Sequence, residues 1–172
     1  MENTFTKATD RKIKVLAIYQ ILGGLAGFGI TFWLLAHTAI ITGLILLLFL
    51  IAFALFSYSI YCGALLLKKQ RVGLVHSSIN QYLQLVSFAI LGFGFQYVSG
   101  VLLSVGIDLT TSFDMKFNIG IMSTWEMNIN SDTEKIEINF NLVALFVIIF
   151  IDKLRRQTAS DGDNMRPAEI AE

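Results

Sequence analysis

From Val15 to Leu67 the chain runs for 53 residues without one Asp, Glu, Lys or Arg, and from Val72 to Ile107 it does so for another 36. Uncharged apolar runs of about 18 residues or more read as membrane-spanning helices. Composition points the same way. The apolar set makes up 55% of the 172 residues before the 13 glycines are added, and only 15% are charged. Soluble domains carry about 25% charged residues. The expected class is an all-α polytopic membrane protein, with the lipid bilayer as its first partner.

Bulk numbers exclude several functions. Thirteen Lys+Arg balance thirteen Asp+Glu, so no global basic character points to nucleic acid. Cys62 is the single cysteine and His37 and His76 the only histidines. A disulfide framework, a Cys-based metal site and a dithiol redox pair each need two cysteines, so no metal site and no cofactor are expected. The basic stretch Lys7, Arg11, Lys12, Lys14 before an apolar run raises the question of a signal peptide. The run Val15–Ala36 is 22 residues, longer than an h-region of about 7–15, and reads as a mature transmembrane helix.

Four spans are expected, at about 13–36, 39–67, 75–105 and 138–154. The last is the shortest, with only Leu142–Ile151 purely apolar, and a re-entrant segment is the alternative. Charge supports the fourth crossing. Lys and Arg gather before span 1, at Lys68–Arg71, and at Lys153, Arg155 and Arg156, whereas residues 106–138 hold two lysines against six acids. The positive-inside rule then places both termini in the cytoplasm. Sparse cysteine and the absence of an Asn-x-Ser/Thr acceptor suit a bacterial inner membrane. A polar tail over 158–172, with the only proline, is expected to be disordered.

Between spans 3 and 4 the pattern changes period. Phe113, Met115, Phe117, Ile119 and Ile121 alternate with Asp114, Lys116, Asn118 and Gly120. Trp125, Met127 and Ile129 alternate with Glu126 and Asn128, and Ile136, Ile138 and Phe140 with Glu137 and Asn139. Period-two alternation marks half-buried strands, and Ser131-Asp132-Thr133 supplies turn chemistry. The expectation is a three-stranded antiparallel meander over about 108–140, outside the membrane, on a four-helix transmembrane bundle. Its apolar residues Phe113, Met115, Phe117, Ile119, Trp125 and Met127 are candidates for docking a partner.

Two polar stripes carry the remaining candidates. Gln20, Gly24, Gly27 and Thr31 share one side of span 1, where small residues permit close helix approach, expected against span 3. Ser77, Asn80, Gln84 and Ser87 recur at steps of three and four in span 3. They read as interhelical packing or as the lining of a pore. No Asp, Glu or Arg lies within the first three spans, and Lys14 and His76 sit only at their cytoplasmic ends, which argues against proton relays and ion-coupled pumps. No serine has a base with an orienting acid beside it, so no catalytic residue is assigned and no enzyme is expected. The four-span plan with a long second outer loop resembles that of tetraspanins, whose paired cysteines are absent here. The expected function is a non-enzymatic scaffold or accessory subunit presenting the outer sheet and small-residue helix faces to a membrane protein partner or a second copy. The alternative is a small oligomeric pore or passive carrier lined by the neutral polar stripes.

Overall fold

The computed structural model describes residues 7–68, 71–129 and 133–164. The chain begins with two helices, α1 (Lys7–His37) and α2 (Gly43–Leu67), joined by a short link in which Thr42 caps α2 by accepting a hydrogen bond from the Ile45 amide at 3.3 Å. Both are long and apolar enough to cross a membrane. At about 1.5 Å per residue, the 25 residues of α2 exceed the ~30 Å of a bilayer core. They overlie the first two expected spans, α1 beginning six residues before the expected 13 and α2 four residues after the expected 39.

The remainder overturns the all-α expectation. Helix α3 covers only Arg71–Leu85 and passes directly into β1 (Val86–Ile90), followed by β2 (Phe93–Val98) and β3 (Leu102–Asp108). The expected third span over 75–105 is therefore a short helix and three strands. The physical reason lies in the alternation of its second half. Phe88 and Ile90 alternate with Ser87 and Ala89, Phe93, Phe95 and Tyr97 with Gly94 and Gln96, and Leu103, Val105 and Ile107 with Ser104 and Gly106. The polar partners are neutral, so the stretch is charge-free without being helical. Leu91 and Gly92 both take positive φ, 52° and 81°, which a helix forbids and a two-residue hairpin turn requires.

Strands β4 (Asp114–Gly120), β5 (Thr124–Ile129) and β6 (Ile136–Asn141) fall where three strands are expected, with the proposed Ser131-Asp132 turn outside the described residues. They do not form a meander. The sheet has six strands, all pairs antiparallel, in the order β4-β3-β6-β1-β2-β5. Alternation specifies which face a side chain takes and says nothing of which strand lies alongside; the three early strands supply the partners. Helix α4 (Leu142–Asn164) starts later than the expected 138, because Asn139 is in strand and Asn141 caps the helix, its Oδ1 accepting from the Val143 and Ala144 amides at 3.0 and 3.3 Å. It is helical through residues 158–164 of the expected disordered tail; 165–172 lie outside the described residues.

Chain connectivity forces the sheet to curl. β4 and β5 are opposite edges, yet only residues 121–123 join them. Five inter-strand gaps of ~4.8 Å would set the edges of a flat sheet about 24 Å apart. Four residue steps reach at most ~14 Å. The edges must therefore approach at the end where Gly120 and Thr124 lie, and the sheet is a cup narrowed at that end.

The narrow end rests on the two long helices. Ser123 Oγ donates to the Gly23 carbonyl at 2.7 Å and accepts from the Gly100 amide at 2.9 Å, and the Tyr97 hydroxyl donates to Leu55 O at 2.9 Å. Trp125 meets Phe49 edge-on, ring centroids 5.4 Å apart. Away from the cup, all four helices enclose a core of Ile13, Leu16, Ala17, Leu66, Leu74, Ile151 and Leu154. Lys12 reaches Gln157 at 3.5 Å and Arg71 the Thr158 carbonyl at 3.1 Å, so the basic helix ends gather at the end of the molecule opposite the cup.

Candidate functional site

Register separates the two faces of the sheet completely. One row crosses all six strands as Met115, Ile107, Ile138, Phe88, Phe95 and Met127, each paired with the next. The row one residue away reads Asp114, Asp108, Glu137, Ala89, Gly94 and Asn128. The first is wholly apolar and the second has no large apolar side chain. The next polar row continues with Lys116, Gly106, Asn139 and Ser87.

Curvature puts the polar face inside. Glu137, Asn139, Asn141 and Ser104 are buried, while Phe117 and Ile119 on the convex side are 69% and 80% exposed. This inverts the usual arrangement of a water-soluble sheet, whose apolar face turns inward. The concave side encloses a cavity of about 420 Å³ lined by residues of all six strands, among them Ser87, Gln96, Ser104, Lys116, Glu126 and Asn139. That volume falls within the ~300–1,000 Å³ of small-molecule sites.

The cavity wall is charged and internally bonded. Lys116 pairs with Asp108 and reaches Glu137 at 3.5 Å; Lys135 pairs with Glu137 at 3.0 Å. Asn139 Nδ2 donates to Glu137 Oε1 at 2.9 Å, and the Thr110 amide donates to Asp108 Oδ1 at 2.9 Å. The Lys116 hydrogen bond, backed by Thr110, holds the Asp108 carboxyl well below the usual carboxylate range. The same bond raises the Lys116 ammonium above its ordinary value against the opposing effect of desolvation. For Glu137, burial pushes the carboxyl up, but the Asn139 hydrogen bond and the two lysines outweigh it and bring it below its ordinary value.

Two further acceptors belong to the polar face. Asn139 is 9% exposed, yet its Oδ1 has no hydrogen-bond partner. It lies over Gly106, where a Cβ would come within 1.9 Å of that oxygen; only glycine leaves the amide its place. Glu126, on β5, accepts from Asn128 Nδ2 at 2.6 Å through its Oε1, and no lysine or arginine among the described residues pairs with it. Among the described residues, no three His, Cys, Asp or Glu side chains group closely enough to hold a metal ion.

The expected site residues divide. Gly24 and Gly27 face α2, against Ile60 and Phe56, rather than span 3. Thr31 bonds back to the Gly27 carbonyl at 2.8 Å. Asn80 donates to Ser59 Oγ at 3.2 Å and accepts from the Tyr97 hydroxyl at 3.1 Å, while Gln84 accepts from the Ser99 amide at 2.8 Å. These groups join α2 and α3 to the β2–β3 turn. Gln20 and Ser77 are fully buried, and the Gln20 amide and Ser77 hydroxyl have no protein partner, a demand that buried water meets in native proteins. Ser87 leaves the helical stripe and lines the cavity from β1.

Of the docking candidates, Phe113, Met115, Phe117 and Ile119 are exposed on or beside edge strand β4; Met127 is half-buried on β5, and Trp125 is half-buried against Phe49. Sequence reasoning missed the cavity residues Lys116, Glu126, Lys135, Glu137 and Asn139, and Asp108 paired with Lys116, by using the charges between spans 3 and 4 only to orient the chain. The signal was present in the strict alternation of polar with apolar positions, which puts all of them but Lys135 on one face. No protein family, curated protein or solved structure matches the chain.

Proposed function

We propose that the chain is an integral membrane protein acting as a non-enzymatic binding module. In this reading α1 and α2 cross the bilayer and the curled sheet is set beside them in the outer leaflet. Its apolar convex face meets lipid, and its polar cup opens to the aqueous phase to receive a small polar molecule. The observation that carries the reading is the inverted sheet, with charges inside and Phe117, Ile119, Met115 and Phe140 outside. An apolar surface of that extent in water is an aggregation liability, whereas against acyl chains it costs nothing. The outward apolar faces of α1 and α2 adjoin it, with Phe32, Trp33, Leu47 and Leu50 more than half exposed. Basic residues at the opposite end orient the cup away from the cytoplasm by the positive-inside rule.

Neighbouring residues of β4 provide the test. In a Cys62→Ala background reconstituted into nanodiscs, Asn118→Cys should react readily with a membrane-impermeant thiol reagent and Phe117→Cys should not. Equal reaction at both positions would refute the embedded sheet. A second reading has its own support: β4 is an unpaired edge whose Phe117 and Ile119 are open, a feature that pairs with partner chains. Protection of Phe117→Cys in discs holding a single copy favours lipid, and protection appearing only with several copies or a co-purified partner favours the scaffold role.

A further inference from the structure

At the end of the molecule opposite the cup, a second cavity of about 260 Å³ lies between Arg71, Val72 and Val75 of α3 and Arg155 and Thr158 of α4. Its two guanidinium groups come from different helices. Arg71 Nη2 donates to the Thr158 carbonyl at 3.1 Å, and the Thr158 hydroxyl donates to the Arg155 carbonyl at 2.9 Å, one turn earlier. Arg71 has no carboxylate within pairing distance among the described residues, and Arg155 holds Asp152 only loosely, at 3.9 Å. No acid is among the described residues lining the cavity, so positive charge is in excess there.

An apolar stripe leads away from the arginines. Val72, Val75, Ile79 and Tyr82 follow at steps of three and four along α3, each more than 40% exposed, and the first two also line the cavity. Ten residues of helix span about 15 Å, half of the ~30 Å hydrocarbon core. The cavity is smaller than the ~300–1,000 Å³ of sites that engulf a whole ligand. It therefore suits a headgroup whose remainder lies outside, along the stripe. We propose that the groove seats an anionic phospholipid of the inner leaflet, its phosphate at Arg71 and Arg155 and one acyl chain along Val75, Ile79 and Tyr82. Guanidinium groups present parallel N–H donors to phosphate oxygens, and the cytoplasmic leaflet supplies anionic lipid. A free phosphate would meet the arginines and leave the stripe bare. The site rests on the bilayer placement proposed above and is independent of what the cup binds.

Native mass spectrometry of the detergent-purified chain, titrated with phosphatidylglycerol, reads the site. One saturable adduct should form, and phosphatidylcholine should bind about tenfold more weakly or worse. Arg71→Gln and Arg155→Gln should each raise the half-saturating phosphatidylglycerol concentration roughly fivefold or more. Arg156→Gln removes the same charge one residue on, at a position that does not line the cavity, and should change nothing. Should Arg71→Gln lower the melting temperature by loosening α3 from α4, the exposed Arg155 decides. Equal weakening by Arg156→Gln would reveal a diffuse basic surface, and equal binding of phosphatidylcholine a groove indifferent to charge. Inorganic phosphate that displaces the lipid at equal concentration would identify a free anion. Each of these, like the absence of any adduct, overturns the proposal while leaving the bilayer placement standing. Equal labelling of Phe117→Cys and Asn118→Cys in nanodiscs removes that placement and the lipid site with it.

Discussion

Replacing Gly27 by alanine tests the packing that seats the cup on the helices. A Cβ at this position would lie 2.0, 2.2 and 2.4 Å from three carbons of the Phe56 ring, where carbon atoms prefer ~3.5–4.0 Å. The ring would have to retreat by about 1.5 Å. It has little room, being fully buried with the Tyr97 ring centroid 5.3 Å away. Tyr97 in turn is held by Leu55 O and Asn80 Oδ1 at 2.9 and 3.1 Å. Overpacking of this kind costs about 1–3 kcal/mol. The better helix propensity of alanine offsets up to ~1 kcal/mol, so Gly27→Ala should lose about 1–2 kcal/mol net. Gly29, two residues on, has nothing within 4 Å of its Cβ position, and Gly29→Ala should be neutral or slightly stabilising. Reversible unfolding in mixed detergent micelles measures both, and Phe56→Leu should relieve the Gly27→Ala penalty in a double-mutant cycle. Equal stability of the two alanine variants, or a cycle with no coupling, would refute the close α1–α2 approach.

Two further outcomes concern the polar groups. Asp108 and Glu137 have folded-state values below their ordinary range, so the stability they contribute is present above pH ~4 and is lost as the pH falls through the depressed values. Lys116 is raised, so its contribution holds below the ordinary lysine value of ~10.4 and fades only above its raised value. Thermal melts should therefore be flat from about pH 5 to 9 and decline in acid, and Asp108→Asn should flatten the acid limb. Ser123→Ala removes both a donor to Gly23 O and the acceptor of the Gly100 amide; it should cost about 1–3 kcal/mol, read by the same detergent unfolding, and an unchanged midpoint would detach the narrow end from α1.

Legibility of the fold tracked how many physical explanations each pattern allowed. α1 and α2 were readable because an uncharged run of 53 residues with no sustained period-two alternation favours long apolar helices. β4, β5 and β6 were readable because charged residues mark their polar positions. β1, β2 and β3 have the same period, but serine, glycine and glutamine mark theirs, and the absence of charge favoured a third long helix. The pair Leu91-Gly92 interrupts this stretch, and its positive φ values make it a hairpin turn. Strand order was the least legible feature, since β6 lies between β1 and β3, a placement that no local pattern encodes.

The candidate site followed from that missed order. Three strands alone would have left Lys116 and Glu137 on a flat, wet surface, where an ion pair contributes little. With β1, β2 and β3 in the sheet, β6 moves to the interior and β4 and β5 become opposite edges joined by three residues. Curvature then becomes obligatory, and one face must turn inward. The side enclosed is the polar one, because Gly94 and Gly106 occupy it and let the chain bend around Asn128 and Asn139, while Phe88, Phe95 and Phe140 spread on the convex side where separation increases. Small residues inside and aromatic residues outside thus set the sense of the curl, and that curl gathers residues distant in sequence into one charged cavity. Adding bulk on the inside attacks this directly: Gly106→Val should displace Asn139 and open the cup, exposing Asn118→Cys to faster labelling, whereas Val105→Gly on the opposite face should not. The same labelling rate in both variants would show that the side-chain sizes do not direct the curvature.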